Sequence, residues 1–548
     1  MSKYPEYKRL DLPGIGREVK AFWKEHHVFE KSLEIRQGHQ PWVFYEGPPS
    51  ANGMPGIHHV MARAIKDIFC RYRTQKGYLV NRKAGWDTHG LPVEMGVEKM
   101  LGITKEDIGK SISISEYNQA CRKDVMKYKD VWDDLTVQMG YWVDLDDPYI
   151  TFENKYIESV WFLLSKLFEK GLLYKGYSIQ PYSPAAGTGL STHELNQPGC
   201  YRNVKDNTVT AQFRIRESDK AAFLFDAARK NGATHAATDV FVLAWTTTPW
   251  TLPSNTGLAV GKNIQYVLVN TFNPYTHLPV SVVLAKDLVG RFFQEPNKEI
   301  PLEGYQAGDK QIPYRIVAEF RGEELEEIRF DQLLPYAQPE EGDPFRIIAG
   351  DFVTTEDGTG IVHIAPSFGA DDFRMGKQYG LGSLTMVNKQ GQFVREMGEF
   401  AGRYVKPEYL PEGMEEERPV DVDLIIKLKN ENRAFKAEKY EHSYPHCWRT
   451  DKPILYYPLD SWFVRTTALK DRMIELNSSI QWKPESTGTG RFGNWLENLQ
   501  DWNLSRSRYW GVPLPVWATA DQQERICIGS LAQLREEIEK SVAAGFMD

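Results

Sequence analysis

Apolar residues recur every three to four positions at Val60, Ala64, Ile65, Ile68, Phe69 and Tyr72. That period predicts a helix with these side chains on its buried stripe. Ahead of it, WVFYEG is a short apolar run closed by Gly47, which predicts a buried strand. Between the two, PPSANGMPG holds Pro and Gly too densely for a regular element and predicts a tight loop. Gly77 closes the helix, and YLV predicts the next strand. Strand, glycine-rich loop, helix, strand is the opening of a doubly wound α/β nucleotide-binding domain.

The same patterning predicts the rest of the chain. Residues 17–34 predict one amphipathic helix with Val19, Phe22, Trp23 and Phe29 facing inward, packed on the nucleotide domain. Residues 117–139 predict a helix with Val125, Tyr128, Trp132 and Leu135 on one face. A further helix over 155–170 carries Val160, Leu163, Leu164, Leu167 and Phe168, and Gly171 ends it. From about 199 to 405 the texture turns to strands: NTVTAQFRI, DVFVLAW, TGLAVG, QYVLVN, SVVLAKDLV, YRIVAEF, FRIIAGDFV, TGIVHIA and LTMV, with a helix over 220–230. This is a mainly β domain that interrupts the α/β architecture. After a Pro- and Glu-rich linker, DLIIKLK predicts a strand, 467–477 a helix, Trp495, Leu496 and Leu499 a short helix, WGVPLPVW a strand, and QLREEIEKSVAAGFMD an amphipathic helix. The domain plan is 1–40, a helical extension; 41–198, the first half of the nucleotide fold and the start of an insertion; 199–405, the β domain; 406–548, the return to the nucleotide fold.

Candidate chemistry sits where these elements end. His58 and His59 stand where the loop becomes a helix, beside free amides and a partial positive charge. Two imidazoles there can hydrogen-bond phosphate as charge grows in nucleotidyl transfer, or can simply be a satisfied loop pair. Asp87, in GWDTH, follows a strand at the crevice position and could bind a ribose or an ammonium group, or stabilise a turn. Thr246, Thr247 and Thr248 end a strand and can position a water or a hydroxyl; β-propensity with turn capping is the alternative explanation. His363 lies in a strand, and Asp371 and Asp372 follow a glycine-bearing loop, where acids bind a metal, cap a helix or bind an ammonium group. Arg506 and Arg508 could engage phosphate or tRNA, or be surface charge.

Composition narrows the partners. The 548 residues suffice for two to four domains, and 41% apolar with 26% charged residues is an ordinary globular balance. A formal net charge of -8 gives no overall basic footprint for nucleic acid and does not exclude it, because local patches can bind. Five widely spaced cysteines imply no disulfide framework and point to a reducing compartment. There is no apolar signal core at the N-terminus and no run of 18 apolar residues to span a membrane.

The segment from Pro41 to Val93 resembles the first signature of class I aminoacyl-tRNA synthetases, and GWDTHGLPVE narrows the resemblance to the isoleucyl family rather than the valyl or leucyl one. The family usually has His-x-Gly-His. This chain has Gly56-Ile57-His58-His59, a swapped arrangement in which the second family histidine falls on His59 and the first on Gly56. The resemblance implies a Rossmann-like catalytic domain interrupted by an editing (CP1) domain. It implies that Asn52, Gly53, Gly56, His58 and His59 hold ATP, with His59 the favoured contact; ATP, with Mg²⁺ on its phosphates, is a substrate. Gly47 and Pro48 would lie beside the amino acid, Asp87 would hold its α-amino group, and Trp510 would line its side-chain pocket. WTTTPWTLPSN and GTGIVHIAPSFGADD resemble the family's proofreading site. There Thr247 and Thr248 would position the ester and the attacking water, Asp372 would grip the α-ammonium, and Asn255 and His363 would line the pocket. One methylene separates isoleucine from valine, about 1–3 kcal/mol, which is why a second, hydrolytic sieve is needed. Cysteine pairs that hold zinc in many relatives fall on Pro181 and Pro184, and HCWRT offers only His446 and Cys447, so no structural zinc is expected. Isoleucine, ATP and tRNA(Ile) are the implied partners of a monomeric, cytoplasmic, membrane-free ligase. A DxWFDSG segment, a KMSKS-like lysine loop and an anticodon domain are missing from the resemblance, which covers about half of a family member. The expectation is an N-terminal fragment, with a pure editing hydrolase as the alternative and a nucleotide- or tRNA-binding module as the non-enzymatic reading.

Overall fold

The computed structural model describes residues 9–230, 239–411 and 413–547. The chain divides into two compact units, Met1–Tyr174 with Val464–Asp501 and Arg508–Asp548, and Lys175–Phe463 with Trp502–Ser507.

In the first unit, strand Lys83–Trp86 pairs in parallel with Asp144–Ile150. The two approach so closely that a Cβ on Gly85 would lie 2.2 Å from the Tyr149 ring, so only glycine fits there. The WVFYEG run is not a laddered strand. The one bridge, Pro41 to Leu79, lies just ahead of it and is also all that forms of the YLV strand; the run itself donates the Trp42 N–H to Leu79 O at 2.9 Å and exposes Val43 and Tyr45. Helix Ile57–Gln75 follows the loop as expected, but its orientation overturns the sequence reading. Arg63, Cys70 and Thr74 face inward, while Ile65, Ile68, Phe69 and Tyr72 lie on the exposed side. The buried face is polar because it closes a network. Arg63 donates to Thr136 Oγ1 at 2.7 Å, Lys66 pairs with Glu46 at 2.6 Å, and Tyr141 donates to the same Glu46.

Two single helices become pairs. The 17–34 segment is Leu12–Glu25 and Val28–Glu34, broken at His27, which takes a left-handed φ of 48°. Val19 and Phe22 are exposed, while Trp23 and Phe29 pack on Trp142. The 117–139 segment is Ile114–Val125 and Lys129–Met139, because the Tyr128 N–H leaves the helical ladder for the Ala51 carbonyl. In helix Asn154–Glu169, Leu164 is buried but Leu163 is exposed.

The second unit is built on a six-stranded sheet in the order Arg315–Arg321, Gln265–Phe272, Pro279–Ala285, Val240–Thr246, Tyr201–Arg214, Ala434–Pro445. Only the pair Val240–Thr246 with Pro279–Ala285 is parallel. A three-stranded sheet sets Gly257–Val260 between Arg346–Ala349 and Ile361–Ile364, opposing His363 to Leu258. Alternation in the central strands is replaced by continuous burial, since both sheet faces are covered. LTMV forms only an isolated bridge at Val387. DLIIKLK is not a strand but part of helix Val420–Asn430, which buries Val420, Leu424, Ile425 and Leu428 on one helical face.

Candidate active sites

The loop 48–56 is held by its own backbone. The Asp87 N–H donates to Pro49 O at 3.0 Å, the Tyr128 N–H to Ala51 O at 3.0 Å, and Trp132 Nε1–H to Gly53 O at 2.8 Å. Gly47, Pro48, Asn52 and Gly53 therefore line the edge of a fixed loop rather than a floppy one. At its end the Gly56 N–H donates to His59 Nδ1 at 2.9 Å. A ring nitrogen that accepts carries no proton, so neutral His59 holds its proton on Nε2. Burial, then His58 and Arg63, pull its pKa below the ordinary value and keep it neutral. His58 is exposed, with its ring centroid 3.8 Å from that of His59. A Cβ on Gly56 would lie 2.8 Å from His58 Cε1, so the His58 ring occupies the space beside the glycine.

Asp87 is exposed past its strand and accepts the His89 N–H at 3.4 Å; the protein atoms around it thin the water near its carboxyl and raise its pKa. His89 is pushed down to about 4 by burial and packs edge-on against Trp510 at 5.3 Å. Trp510 is buried, and its Nε1–H donates to Thr88 O at 2.6 Å. The sequence reading missed what fixes it: Glu94, buried on helix Leu91–Leu101. Glu94 accepts the Trp510 and Tyr509 N–H groups at 3.0 and 3.1 Å and pairs with Arg508 at 2.8 Å. Arg508 is thus committed to a buried ion pair, not displayed for phosphate. The signal for Glu94 was its place on the apolar face of an otherwise hydrophobic helix start, LPVEM.

In the second unit the threonine cluster makes a chain of hydroxyls. Thr248 Oγ1 lies 3.2 Å from Thr246 Oγ1 and 3.3 Å from Thr251 Oγ1. Thr251 donates to Thr248 O at 2.7 Å, which leaves its oxygen to accept from His363 Nε2, 3.1 Å away. Asn255 Nδ2 reaches His363 Nδ1 at 3.5 Å and Gly257 O at 2.8 Å, while its Oδ1 is buried without a partner. Burial holds His363 near a pKa of about 4, so it is a neutral, positioned ring. Thr247 is half-buried and takes no part in this chain, whereas Thr251, which sequence reasoning passed over, is its centre.

Two residues past the end of strand Ile361–Ile364 the chain turns, and Asp372 folds back from helix Ala370–Tyr379 to accept the Ala365 N–H at 2.8 Å. Its carboxyl packs so tightly over Gly369 that a Cβ there would lie 2.8 Å from Cγ. Burial raises its pKa to about 7. Its neighbour Asp371 is exposed and pairs with Arg374. Phe368 of the same turn packs edge-on against Trp250 at 5.2 Å, tying the Asp372 turn to the threonine turn.

Cys200, Cys447 and His446 come close together, the His446 N–H donating to Cys200 O at 2.7 Å. Among the described residues no group of three or more His, Cys, Asp or Glu side chains is placed to hold a metal ion. Among them, too, no helix is long and apolar enough to cross a membrane.

The chain is 59% identical, over 99% of its length, to isoleucine–tRNA ligase of Cytophaga hutchinsonii, and 58% identical over its whole length to that of Porphyromonas gingivalis. It is 42% identical to that of Clostridium acetobutylicum over 97% of its length. It covers 49%, 49% and 46% of these proteins, so it spans about half the length of the curated relatives it matches. The family model for tRNA synthetases class I (I, L, M and V) matches residues 18–545, and the chain belongs to that family.

Proposed function

We propose that the chain carries the ATP-dependent activation site and the hydrolytic editing site of an isoleucine–tRNA ligase. The observation that carries this is the presence, within one unit, of the Thr248–Thr251–His363 chain and of the half-buried Asp372 carboxyl held on its turn by the Ala365 N–H. A carboxylate in that position meets the α-ammonium that every aminoacyl ester presents. Thr247 and Thr248 then hold the ester and the attacking water, and Asn255 and His363 line the pocket. His363 spends its Nε2 proton on Thr251 and stays neutral, so it orients hydroxyls rather than removing protons. An activated ester needs no stronger base.

In the first unit Asp87 takes the amino group of isoleucine, Gly47 and Pro48 lie beside it, and Trp510 walls the side chain. The substrate carboxylate attacks the α-phosphate of Mg²⁺-bound ATP, and pyrophosphate leaves. His59 offers Nε2–H to the charge that grows on phosphate, and His58 fills the space beside Gly56 where the usual signature places a histidine. Asn52, Gly53 and Gly56 complete the nucleotide cradle. Residues 41–198 and 406–548 are assigned to the nucleotide fold and its insertion, 199–405 to editing, and 1–40 to the extension. A reducing, cytoplasmic location fits five unpaired cysteines, and the chain is taken to act as a monomer. A second reading, that the chain acts as an editing hydrolase alone, is favoured by the confinement of every editing residue to the unit Lys175–Phe463.

The test is hydrolysis of Val-tRNA(Ile) and Ile-tRNA(Ile) by the purified chain, with pyrophosphate exchange measured beside it. Deacylation of the valyl ester alone, lost in Thr248→Ala and Asp372→Ala, supports the editing site. Isoleucine-dependent exchange supports the activation site, and deacylation without exchange supports the second reading. Unchanged hydrolysis in Asp372→Ala overturns the assignment.

A further inference from the structure

We infer that Trp132 is a positioning residue of the nucleotide site, holding the 48–56 loop and the His59 ring in the geometry that receives phosphate. It rests on the ATP reading of that site. Trp132 is buried on helix Lys129–Met139, and three different properties of one indole are in use. Its Nε1–H donates to Gly53 O at 2.8 Å, fixing the exposed tip of the loop. Its ring meets His59 edge to face at 4.7 Å. Its face receives the Arg63 guanidinium at 5.0 Å.

The arrangement is closed on itself. Arg63 donates to Thr136 Oγ1 at 2.7 Å, and that hydroxyl donates to Trp132 O at 2.7 Å. Arg63 lies on the same helix as His59, one turn on, and its charge is among the causes that keep His59 unprotonated. The indole therefore sits between a cation and the imidazole whose tautomer the nucleotide reads. Beneath it, Ala51 and Trp86 complete the packing, so the loop is pinned at Ala51 and Gly53 from one side. A ring that served packing alone would be replaceable by any apolar group of its size. Here the N–H donor, the T-shaped ring contact and the cation contact each have a separate partner.

Two variants separate these roles. Trp132→Phe keeps an aromatic ring and removes the donor; Trp132→Leu removes both. Mg·ATP binding to the chain is measured by calorimetry, and the His59 ring nitrogens are observed by NMR at neutral pH. Trp132→Phe is expected to weaken Mg·ATP about 3- to 10-fold, the worth of one hydrogen bond, with the His59 signals close to wild type. Trp132→Leu is expected to weaken it further and to shift the His59 signals away from the single Nε2–H form. Variants that lose thermal stability but bind Mg·ATP as wild type, with unchanged His59 signals, overturn the inference. If the wild-type chain binds no Mg·ATP, the ATP reading fails, and the His59 signals of Trp132→Leu still decide whether the indole orients the ring.

Discussion

A carboxyl that must meet an ammonium ion works only when ionised, and Asp372 is held on the edge of ionisation. Burial lifts it from 3.8 to about 7. Below that pH it is neutral and its grip weakens, so the ratio of wild-type to Asp372→Asn deacylation should climb by up to about tenfold per pH unit up to 7 and then level. On the plateau the loss in Asp372→Asn is about 10- to 100-fold, the worth of hydrogen bonds to a charged group. The same shift has a stability consequence of opposite sense. The folded chain retains a proton that the unfolded chain releases between pH 3.8 and about 7, so stability falls as pH rises across that window. Asp421, buried on helix Val420–Asn430 and also raised to about 7, adds to the fall. Asp372→Asn should therefore be more stable than wild type at pH 8, on the order of a few kcal/mol, and indistinguishable at pH 3. Urea denaturation at the two pH values reads this directly. The candidate residues were legible because WTTTPW and GADD are dense in chemistry-bearing side chains. The buried shift of Asp372 was not, because it depends on Ala365 and Gly369 closing over the carboxyl, which only the turn creates.

Between elements, one acid joins segments more than four hundred positions apart. Glu94 on helix Leu91–Leu101 accepts two N–H groups from Tyr509 and Trp510 and pairs with Arg508. Both charges are nearly excluded from water. Glu94→Ala strands Arg508 and two backbone donors, so it should cost about 3–5 kcal/mol, whereas Glu94→Gln, which keeps the acceptor, should cost less. The check is a chemical denaturation curve followed by tryptophan fluorescence, since Trp510 leaves its pocket when the anchor fails. A neutral result in Glu94→Ala would mean that the 508–510 segment is fixed from elsewhere. Such a join is invisible to periodicity, which sees only neighbours in sequence. The same limit produced the errors in element type. DLIIKLK holds only three consecutive apolar residues, Leu424 to Ile426, between charged ones, too short a run to separate a strand from a helix, and the helix won because Val420, Leu424, Ile425 and Leu428 meet one surface. Strands of the second unit were read well, since there β-branched runs are separated by turn residues.

At the scale of the molecule the two units differ in how they treat apolar surface. The Lys175–Phe463 unit gathers one large core that runs from Val209 through Phe330 and Leu424 to Tyr457. The first unit has smaller clusters around Val97, Tyr117 and Val125, and around Ala51, Trp86 and Trp132. On helix Ile57–Gln75 it leaves Ile68 66% and Phe69 49% exposed, with Met61, Ile65 and Tyr72 beside them. The period of the sequence located that stripe correctly as one face and assigned it to the wrong side, because periodicity gives a face but not its neighbour. The two assignments differ in a measurable quantity. If the stripe were core, Ile68→Gln and Phe69→Gln would each forfeit the burial of a large apolar side chain, about 1.5–3 kcal/mol. With the stripe exposed, each should stay within about 0.5 kcal/mol of wild type by urea denaturation. The double variant should also bind less of a dye that reports exposed apolar surface, since it removes two members of a contiguous patch. Arg63→Met supplies the opposite control. Its guanidinium faces the unit's interior against Thr136 and Trp132, so replacing it should destabilise although it makes the helix more apolar. If the polar substitutions were costly and the apolar one harmless, the helix would be turned the other way, and His59 could not meet Trp132 as described.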